Sequence, residues 1–380
     1  MYTFKIYSSV SQLPDKWDCI AAENIFLTQS YLTVLEASGP VNMIFHFIGI
    51  LKQDQLVGVA VSQFLDLSSI TSFGERDHRI KTLIRSYAFK NISSKVLVIG
   101  NNMLTGQNGY SFTDELDENQ GFTILKDAVN SIRSILSKNG LKPQLIIFKD
   151  YSKVAVSLFD KTVFKSYFTF TTQPNMVFTI SENWNSFDDY LSCLSKKYRD
   201  QYKRSRKKAE DVSKRKLSLS EIEDYSARIH ELYMNVAKNA PFNTFYLSEN
   251  HFETFKRTLK DNFLFYGYFL EDKLIGFNTL IKNGSDIDTY FLGYDQEFQK
   301  EKMLYLNMLY DMIAYSINKK YKRIIFARTA LEIKSSVGAV AVETYGMMKH
   351  SNPLLNLFIG RFFRYFEPKS NWQVRKPFKE

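Results

Sequence analysis

At 380 residues, 44% hydrophobic and 24% charged, the chain is long enough for two domains with separate cores, and wholesale disorder is excluded. Two cysteines, Cys19 and Cys193, and five scattered histidines leave no cluster at ligand spacing, which excludes a structural zinc site and points to a reducing compartment. The formal net charge of +10 favours anionic partners: a nucleotide-like ligand, a nucleic acid or a membrane surface.

Residues 1–9 read as a strand, and 14–22 and 29–38 as helices. A hairpin spans 42–67, its apolar strands joined by a polar turn around Asp54. A polar segment, 68–110, follows and contains a strand at 95–100. Over 113–139 Ile124, Ala128, Ile132, Ile135 and Leu136 recur at helical steps up to Asn139-Gly140, a C-cap signal. A strand at 144–149 closes the first half, and 164–180 reads as one or two strands leading out of it.

The clearest helix is expected over 186–212. Ser186 with Asp189 forms a capping box. Behind it Phe187, Tyr190, Leu191, Leu194, Tyr198, Tyr202, Ser205, Ala209 and Val212 make an apolar face. The opposite face is basic, with eleven Lys/Arg against three acids between Lys196 and Lys216. Beyond it come a strand near 216–222, helices at 225–239 and 248–260, and a second hairpin at 263–282. A strand at 285–294, a helix at 299–319, a strand at 322–327, a polar turn at 328–338 and a strand at 339–348 follow. This order is that of an α/β or α+β unit with a mixed sheet.

The two hairpins are copies. Phe47, Gly49, Asp54, Leu56 and Gly58 recur without a gap as Phe265, Gly267, Asp272, Leu274 and Gly276. Each copy leads to a helical pattern and then a buried-looking strand, at 145–148 and 324–326. The repeat predicts two related domains, 1–163 and 164–380, with a ligand cleft between them.

Three stretches carry a resemblance to a known family. They are Leu194-Ser195-Lys196-Lys197-Tyr198-Arg199 running on through Lys203-Arg204-Ser205-Arg206-Lys207-Lys208, the stretch from Gly276 through Tyr294 to Tyr310, and the turn at 328–338. With the order of elements, they resemble the GNAT acyltransferase core. The chain is similar to the subgroup with two such domains fused, the Fem-type aminoacyl transferases and BioF2-like acetyltransferases. The resemblance implies tandem GNAT-like domains with mixed sheets, and an enzyme that moves an acyl group from an activated carrier to an amine. The acceptor would be a small metabolite or an envelope precursor. It further implies acyl-CoA or a similar carrier as co-substrate, with no tightly bound cofactor. The alternatives are a Fem-type enzyme using aminoacyl-tRNA, the one case in which nucleic acid is a partner, and a ligand-binding repeat without turnover. Two departures stand out. The GNAT pyrophosphate loop, Gln/Arg-x-x-Gly-x-Gly/Ala, is replaced by the glycine-free Gln296-Glu297-Phe298-Gln299-Lys300-Glu301-Lys302, and no coiled-coil hairpin of the tRNA-gripping Fem enzymes is visible.

Acyl transfer to an amine needs a proton acceptor, preorganised donors for the oxyanion and a donor held at attack distance. By resemblance the donor lies where two central strands separate, at 288–294 and 323–328, so Asp288, Tyr290, Tyr294 and Arg328 line the cleft. Tyr290 or Tyr294 would relay a proton, Glu332 would act as a base, and Arg328 would clamp a phosphate or carboxylate with its planar fork. Lys334 and Ser335, with Lys300 and Lys302, would hold anionic parts of the donor. Lys196, Lys197, Arg199, Lys203 and Arg204 are assigned to phosphates of donor or acceptor. Each has a structural alternative: tyrosines packing a half-buried strand, Arg328 capping a strand end, a turn closed by Gly338, a solvated basic face. Near the end of the chain, Leu354, Leu355, Phe358, Phe362, Tyr365 and Phe366, with Arg361 and Arg364, form a stripe for peripheral membrane contact or for packing on its own domain. The start lacks the apolar core of a signal peptide and no apolar run reaches about 18 residues, so a cytoplasmic protein is expected.

Overall fold

Each copy of the hairpin lies one strand in from the edge of its own mixed sheet. The computed structural model describes residues 1–21, 24–68, 93–159, 163–171, 173–240, 243–366 and 372–379; most of the polar segment 68–110 lies outside them. The first seven strands are β1 (Tyr2–Tyr7), β2 (Met43–Lys52), β3 (Gln55–Asp66), β4 (Lys95–Ile99), β5 (Tyr110–Phe112), β6 (Leu145–Tyr151) and β7 (Phe168–Thr171). Then come β8 (Asn175–Thr179), β9 (Val212–Lys216), β10 (Phe263–Leu270), β11 (Lys273–Asn283), β12 (Asp286–Tyr294), β13 (Arg323–Ile325), β14 (Val340–Val342) and β15 (Tyr345–His350).

Unit 1 comprises Met1–Gln173, Pro241–Ser248 and Glu343–Lys369. Its sheet runs β1-β2-β3-β4-β6-β15-β7, with β5 added to β3. It contains helix α1 (Gln29–Ser38), capped by Thr28. Helix α2 (Glu118–Lys138), capped by Asp117, buries Phe122, Leu125, Ala128, Val129, Ile132 and Leu136. These meet Ile48, Ile50, Phe64, Leu97, Ile99 and Phe148 of the sheet in one core.

Unit 2 comprises Pro174–Ala240, Glu249–Val342 and Ser370–Glu380, and its sheet runs β14-β8-β13-β12-β11-β10-β9. Its helices include α3 (Phe187–Cys193), α4 (Lys196–Lys208), α5 (Ser226–Ala237), α6 (His251–Leu259), α7 (Gln296–Glu301), α8 (Leu304–Asn318) and α9 (Leu331–Ser336). Met308, Leu309, Ile313 and Ile317 of α8 pack on Ile275, Leu280, Ile287 and Ile324. The other face meets α5 and α6, where Phe252 lies against Phe265 and Phe277, and Tyr233 against Phe291.

The repeat extends to the irregularities. Ile50 pairs with Gly58 just before the β2/β3 register shifts, and Tyr268 pairs with Gly276 just before the β10/β11 register shifts. Gln53, Asp54 and Glu271 in the two turns are left-handed. Corresponding positions in the two sheets are therefore β2 and β10, β3 and β11, β4 and β12, β6 and β13. One place is filled by exchange. In unit 1, β15 lies between β6 and β7, antiparallel to both; in unit 2, β8 lies between β13 and β14, again antiparallel. β8 follows β7 in sequence and β15 follows β14, yet each belongs to the sheet of the other copy.

Four expectations are corrected, the first two of them by the exchange. The strand foreseen at 339–348 is two strands in different sheets, β14 and β15, broken at Glu343 and Thr344. The units are discontinuous, so 343–369 groups with the first copy and not with a block at 164–380. The helix foreseen at 186–212 is α3 and α4, parted by Leu194 and Ser195 in extended conformation. There Ser195 N donates to Pro377 O at 2.8 Å and Lys379 N to Cys193 O at 2.9 Å, so the terminal segment supplies backbone partners at the break. The strand foreseen near 216–222 ends earlier, as β9, because a second capping box, Ser218 with Glu221, starts a helix at Leu219.

Gly346 sits at the heart of the exchange. A Cβ there would lie 2.5 Å from Phe170 Cζ and 2.8 Å from Phe148 O, on the strands either side of β15. Gly346→Ala is expected to cost about 1–3 kcal/mol of stability through overpacking. Denaturant unfolding measures it; an unchanged midpoint would show that β15 is not held tightly in that slot.

Candidate functional site

β12 and β13 run parallel for only three residue pairs, ending with Asp288 opposite Ile325. Thr289 Oγ1 donates to Ile325 O at 3.0 Å, and no ladder pair joins the two strands after it. β12 then continues to Tyr294 alongside β11. The chain after Ile325 stays with β8: Phe326 N donates to Met176 O at 2.8 Å and Met176 N to Ala327 O at 3.1 Å. The buried Lys334 of α9 donates its Nζ to Phe326 O and, at 3.4 Å, to Ala327 O. Left-handed Ala327 and Ala330 turn the chain away. The strands part because the backbone groups past Ile325 are satisfied elsewhere.

The far half of β12 carries a bulge. Thr289 is opposite Leu280 and Leu292 is opposite Asn278, so Tyr290 and Phe291 share the place facing Thr279. The extra residue puts the two candidate tyrosines on opposite faces. Tyr294 lies on the α8 side, its ring 6.4 Å from Tyr305, and burial raises its phenol. Tyr290 lies on the α6 side, stacked 5.8 Å from His251 and 4.9 Å from Phe255. Its Oη is 3.0 Å from Nε2 of the fully buried His251, while the tyrosine itself is half-buried. Asp288, opposite Ile281, shares the face of Phe277 and accepts from Asn283 Nδ2 at 3.1 Å. Burial pushes its carboxyl up to about 7.

The turn foreseen at 328–338 contains α9. Arg328 is half-buried at the strand end, and burial lowers its guanidinium to about 10. Burial likewise lowers Lys334 to about 7. Ser335 Oγ donates to Glu332 O at 2.8 Å and accepts from Arg375 N at 3.0 Å. Glu332 takes the Arg375 guanidinium, with Nε at 3.0 Å. Lys334, Ser335 and Glu332 are thereby engaged in holding the turn.

Lys300 is exposed on α7, and Lys302 pairs with Asp211 at 2.7 Å and Glu301 at 3.2 Å. Before α7, the Asp295 carboxylate caps Glu297 N at 3.2 Å and pairs with Arg228 of α5 at 2.8 Å. On α4, Lys196, Lys197, Lys203 and Arg204 point to solvent, whereas Arg199 is half-buried and donates to Leu194 O. Arg206, with no role foreseen, turns inward to Asp311 at 2.7 Å, where Lys214 (3.7 Å) and Tyr268 Oη (2.9 Å) also converge. His251 was missed too, since a single histidine in the first turn of an amphipathic helix is an ordinary core residue by pattern. Among the described residues no group of three or more His, Cys, Asp or Glu is placed to hold a metal ion.

Asp288 yields a pH prediction. Its carboxyl holds a proton up to about 7 in the fold but loses it near 3.8 when unfolded, so its contribution to stability falls as pH rises between those values. Asp288→Asn keeps an oxygen for Asn283 and removes that loss. Its stability advantage over the native chain should widen from pH 4 to 7 and then level off; an advantage constant with pH in denaturant titrations would contradict this.

The FemAB-like family model, described as peptidoglycan biosynthesis/recognition, matches residues 9–378. Among solved structures the chain is similar to FemX, with a TM-score of 0.54 at 9% identity over 96% of this chain and 100% of that one. It is similar to a tandem GNAT protein from the clavulanic acid biosynthesis pathway, at 0.51 and 9% identity over 93% of this chain and 99% of that one. A conserved protein of unknown function from Bacteroides thetaiotaomicron gives 0.50 at 12% identity, over 92% and 99%. At such identities the likeness concerns fold. No curated protein matches the chain. Two GNAT-like units and a family match over nearly the whole length make the chain a member of the FemAB-like family, a transferase of the acyl and aminoacyl class.

Proposed function

We propose that unit 2 transfers an aminoacyl group from aminoacyl-tRNA to an amine of a peptidoglycan precursor. The observation that carries the choice of donor is the turn after β12. A GNAT enzyme holds the pyrophosphate of CoA on the bare amides of a glycine-rich loop. Here that place has no glycine, α7 fills it, and Asp295 presents a carboxylate already committed to Glu297 N and Arg228. Arg228 and Lys273 (3.7 Å), the cations beside that carboxylate, are already paired with it, so a pyrophosphate would have to compete with Asp295 for them. A polyanion gripped by side-chain cations is a different matter, and the solvent face of α4 offers Lys196, Lys197, Lys203 and Arg204, with Lys207 and Lys208 also exposed.

In this reading the ester carbonyl of the donor enters where β12 leaves β13, with Tyr294 and Arg328 as its walls. The acceptor amine approaches from the side covered by α5 and α6. Its nitrogen attacks the carbonyl carbon while a proton passes to Tyr290 Oη, whose own proton passes to His251 Nε2, 3.0 Å away. The cationic Arg328 favours the oxyanion. Collapse breaks the ester C–O bond, and the departing ribose hydroxyl takes the proton back.

Two measurements test this. Ribonuclease treatment of the donor should abolish transfer, and Lys203→Glu with Arg204→Glu should weaken donor binding and flatten its salt dependence. Transfer from acyl-CoA that ignores both treatments would sink the tRNA reading. Tyr290→Phe should lower kcat by about 10²–10⁴-fold with KM for the donor little changed. A rise in KM alone would make Tyr290 a packing residue.

A further inference from the structure

Unit 1 carries an apolar turn that its own core does not cover. After β15, Asn352 Oδ1 accepts from Leu354 N at 2.9 Å and Leu355 N at 3.4 Å, starting a one-turn helix, Pro353–Asn356, that leads into α10 (Ile359–Phe366). Leu354 is 71% exposed, Leu355 36%, Leu357 76% and Phe358 56%. The turn is fixed from beneath. Ile359 is buried, the Phe363 ring packs 5.0 Å from Phe170, Asn356 Nδ2 donates to Ser166 O at 2.8 Å, and Asn356 Oδ1 accepts from His350 N at 2.7 Å. The side chains of Phe362, Tyr365 and Phe366 lie outside the described ones.

The charge around this turn is mostly positive. Residues 163–171 and 343–367 hold Lys165, Lys349, Arg361 and Arg364 against Glu343 and Glu367 at the two ends of the second stretch. Asn352 also forms part of the wall of an open groove of about 740 Å³, shared with Lys95, Arg133, Lys142, Ser94 and His350, and among the described residues no acid lines it. A cationic groove and a protruding apolar turn thus meet at one residue.

We propose that unit 1 docks on an anionic phospholipid surface, with Leu354, Leu357 and Phe358 in the acyl boundary and headgroup phosphates at Lys95, Arg133, Lys142 and Arg361. Neither feature alone would suffice: short apolar insertions bind weakly, and basic patches bind many anions, but together they select a charged bilayer. A second copy of the chain is the poorer occupant, since two mostly cationic surfaces would face each other with like charge.

The test is sedimentation of the full chain with phosphatidylcholine vesicles made with and without phosphatidylglycerol. The chain should bind the anionic vesicles and bind pure phosphatidylcholine at least about tenfold more weakly. Leu357→Ser with Phe358→Ser should reduce anionic binding about tenfold, as should Arg361→Gln with Lys142→Gln, all at solvent-exposed positions that leave the melting temperature unchanged. A native chain that stays in the supernatant overturns the proposal, and so does a serine variant that sediments undiminished. Equal binding to both vesicle types removes the anionic surface as the partner. Self-association abolished by the serine pair, without sedimentation, makes the turn a subunit contact instead.

Discussion

Everything at the candidate site depends on which strand keeps the backbone of residues 326 and 327. A parallel pair left to itself would go on forming its ladder, and β12 has six more residues with which to do so. It does not, because β8 and the ammonium of Lys334 have taken the amide of Phe326 and the carbonyls of Phe326 and Ala327. Opening a sheet is costly only if polar groups are stranded, and here few are. A lysine buried under a strand end is the counterpart of that opening, since its donations to Phe326 O and Ala327 O satisfy carbonyls that the parting of the strands would otherwise leave without partners.

The bulge in β12 does the second piece of work. An unbroken strand would set Asp288, Tyr290 and Tyr294 in one row, and a single face would have to serve both substrates. With one extra residue the strand offers Tyr294 to α8 and Tyr290 to the aromatic layer of α6. Acyl transfer brings two molecules together through a sheet, and a strand with chemistry on both sides suits that task. Bulges beside active sites commonly re-aim side chains in this way.

Much of the frame was legible in the sequence. The hairpin copies matched in residues and in turn, and the structure adds that the register shifts just after the pairs made by Gly58 and Gly276 in both. Helix α2 declared itself by spacing and its C-cap, while its start, set by Asp117, lies later than the expected 113. What could not be read was partnership. Nothing local in Asn175–Thr179 or Tyr345–His350 says which sheet will receive it, since an apolar strand fills any slot of the right polarity. The bulge was invisible for a similar reason: alternation along 286–294 looks regular until the opposing strand fixes the count. The break at Leu194-Ser195 depends on a segment nearly two hundred residues away. Site residues divided along the same line, with Arg328 and the tyrosines placed at the opening by strand position. His251, Arg206 and the occupations of Glu332, Lys334 and Ser335 emerged only from contacts distant in sequence.

The crossing of β8 and β15 bears on how the molecule is made. A ribosome releases the chain from its amino end, and the first sheet lacks the strand between β6 and β7 until residues 345–350 emerge, after β8 to β14 of the second sheet. Until then β6 and β7 have an open slot between them, with apolar flanks and unpaired backbone exposed on the nascent chain. The early copy therefore cannot mature ahead of the late one. Completion of the first sheet waits until every strand of the second has been made, a long interval in which the half-built sheet needs shelter.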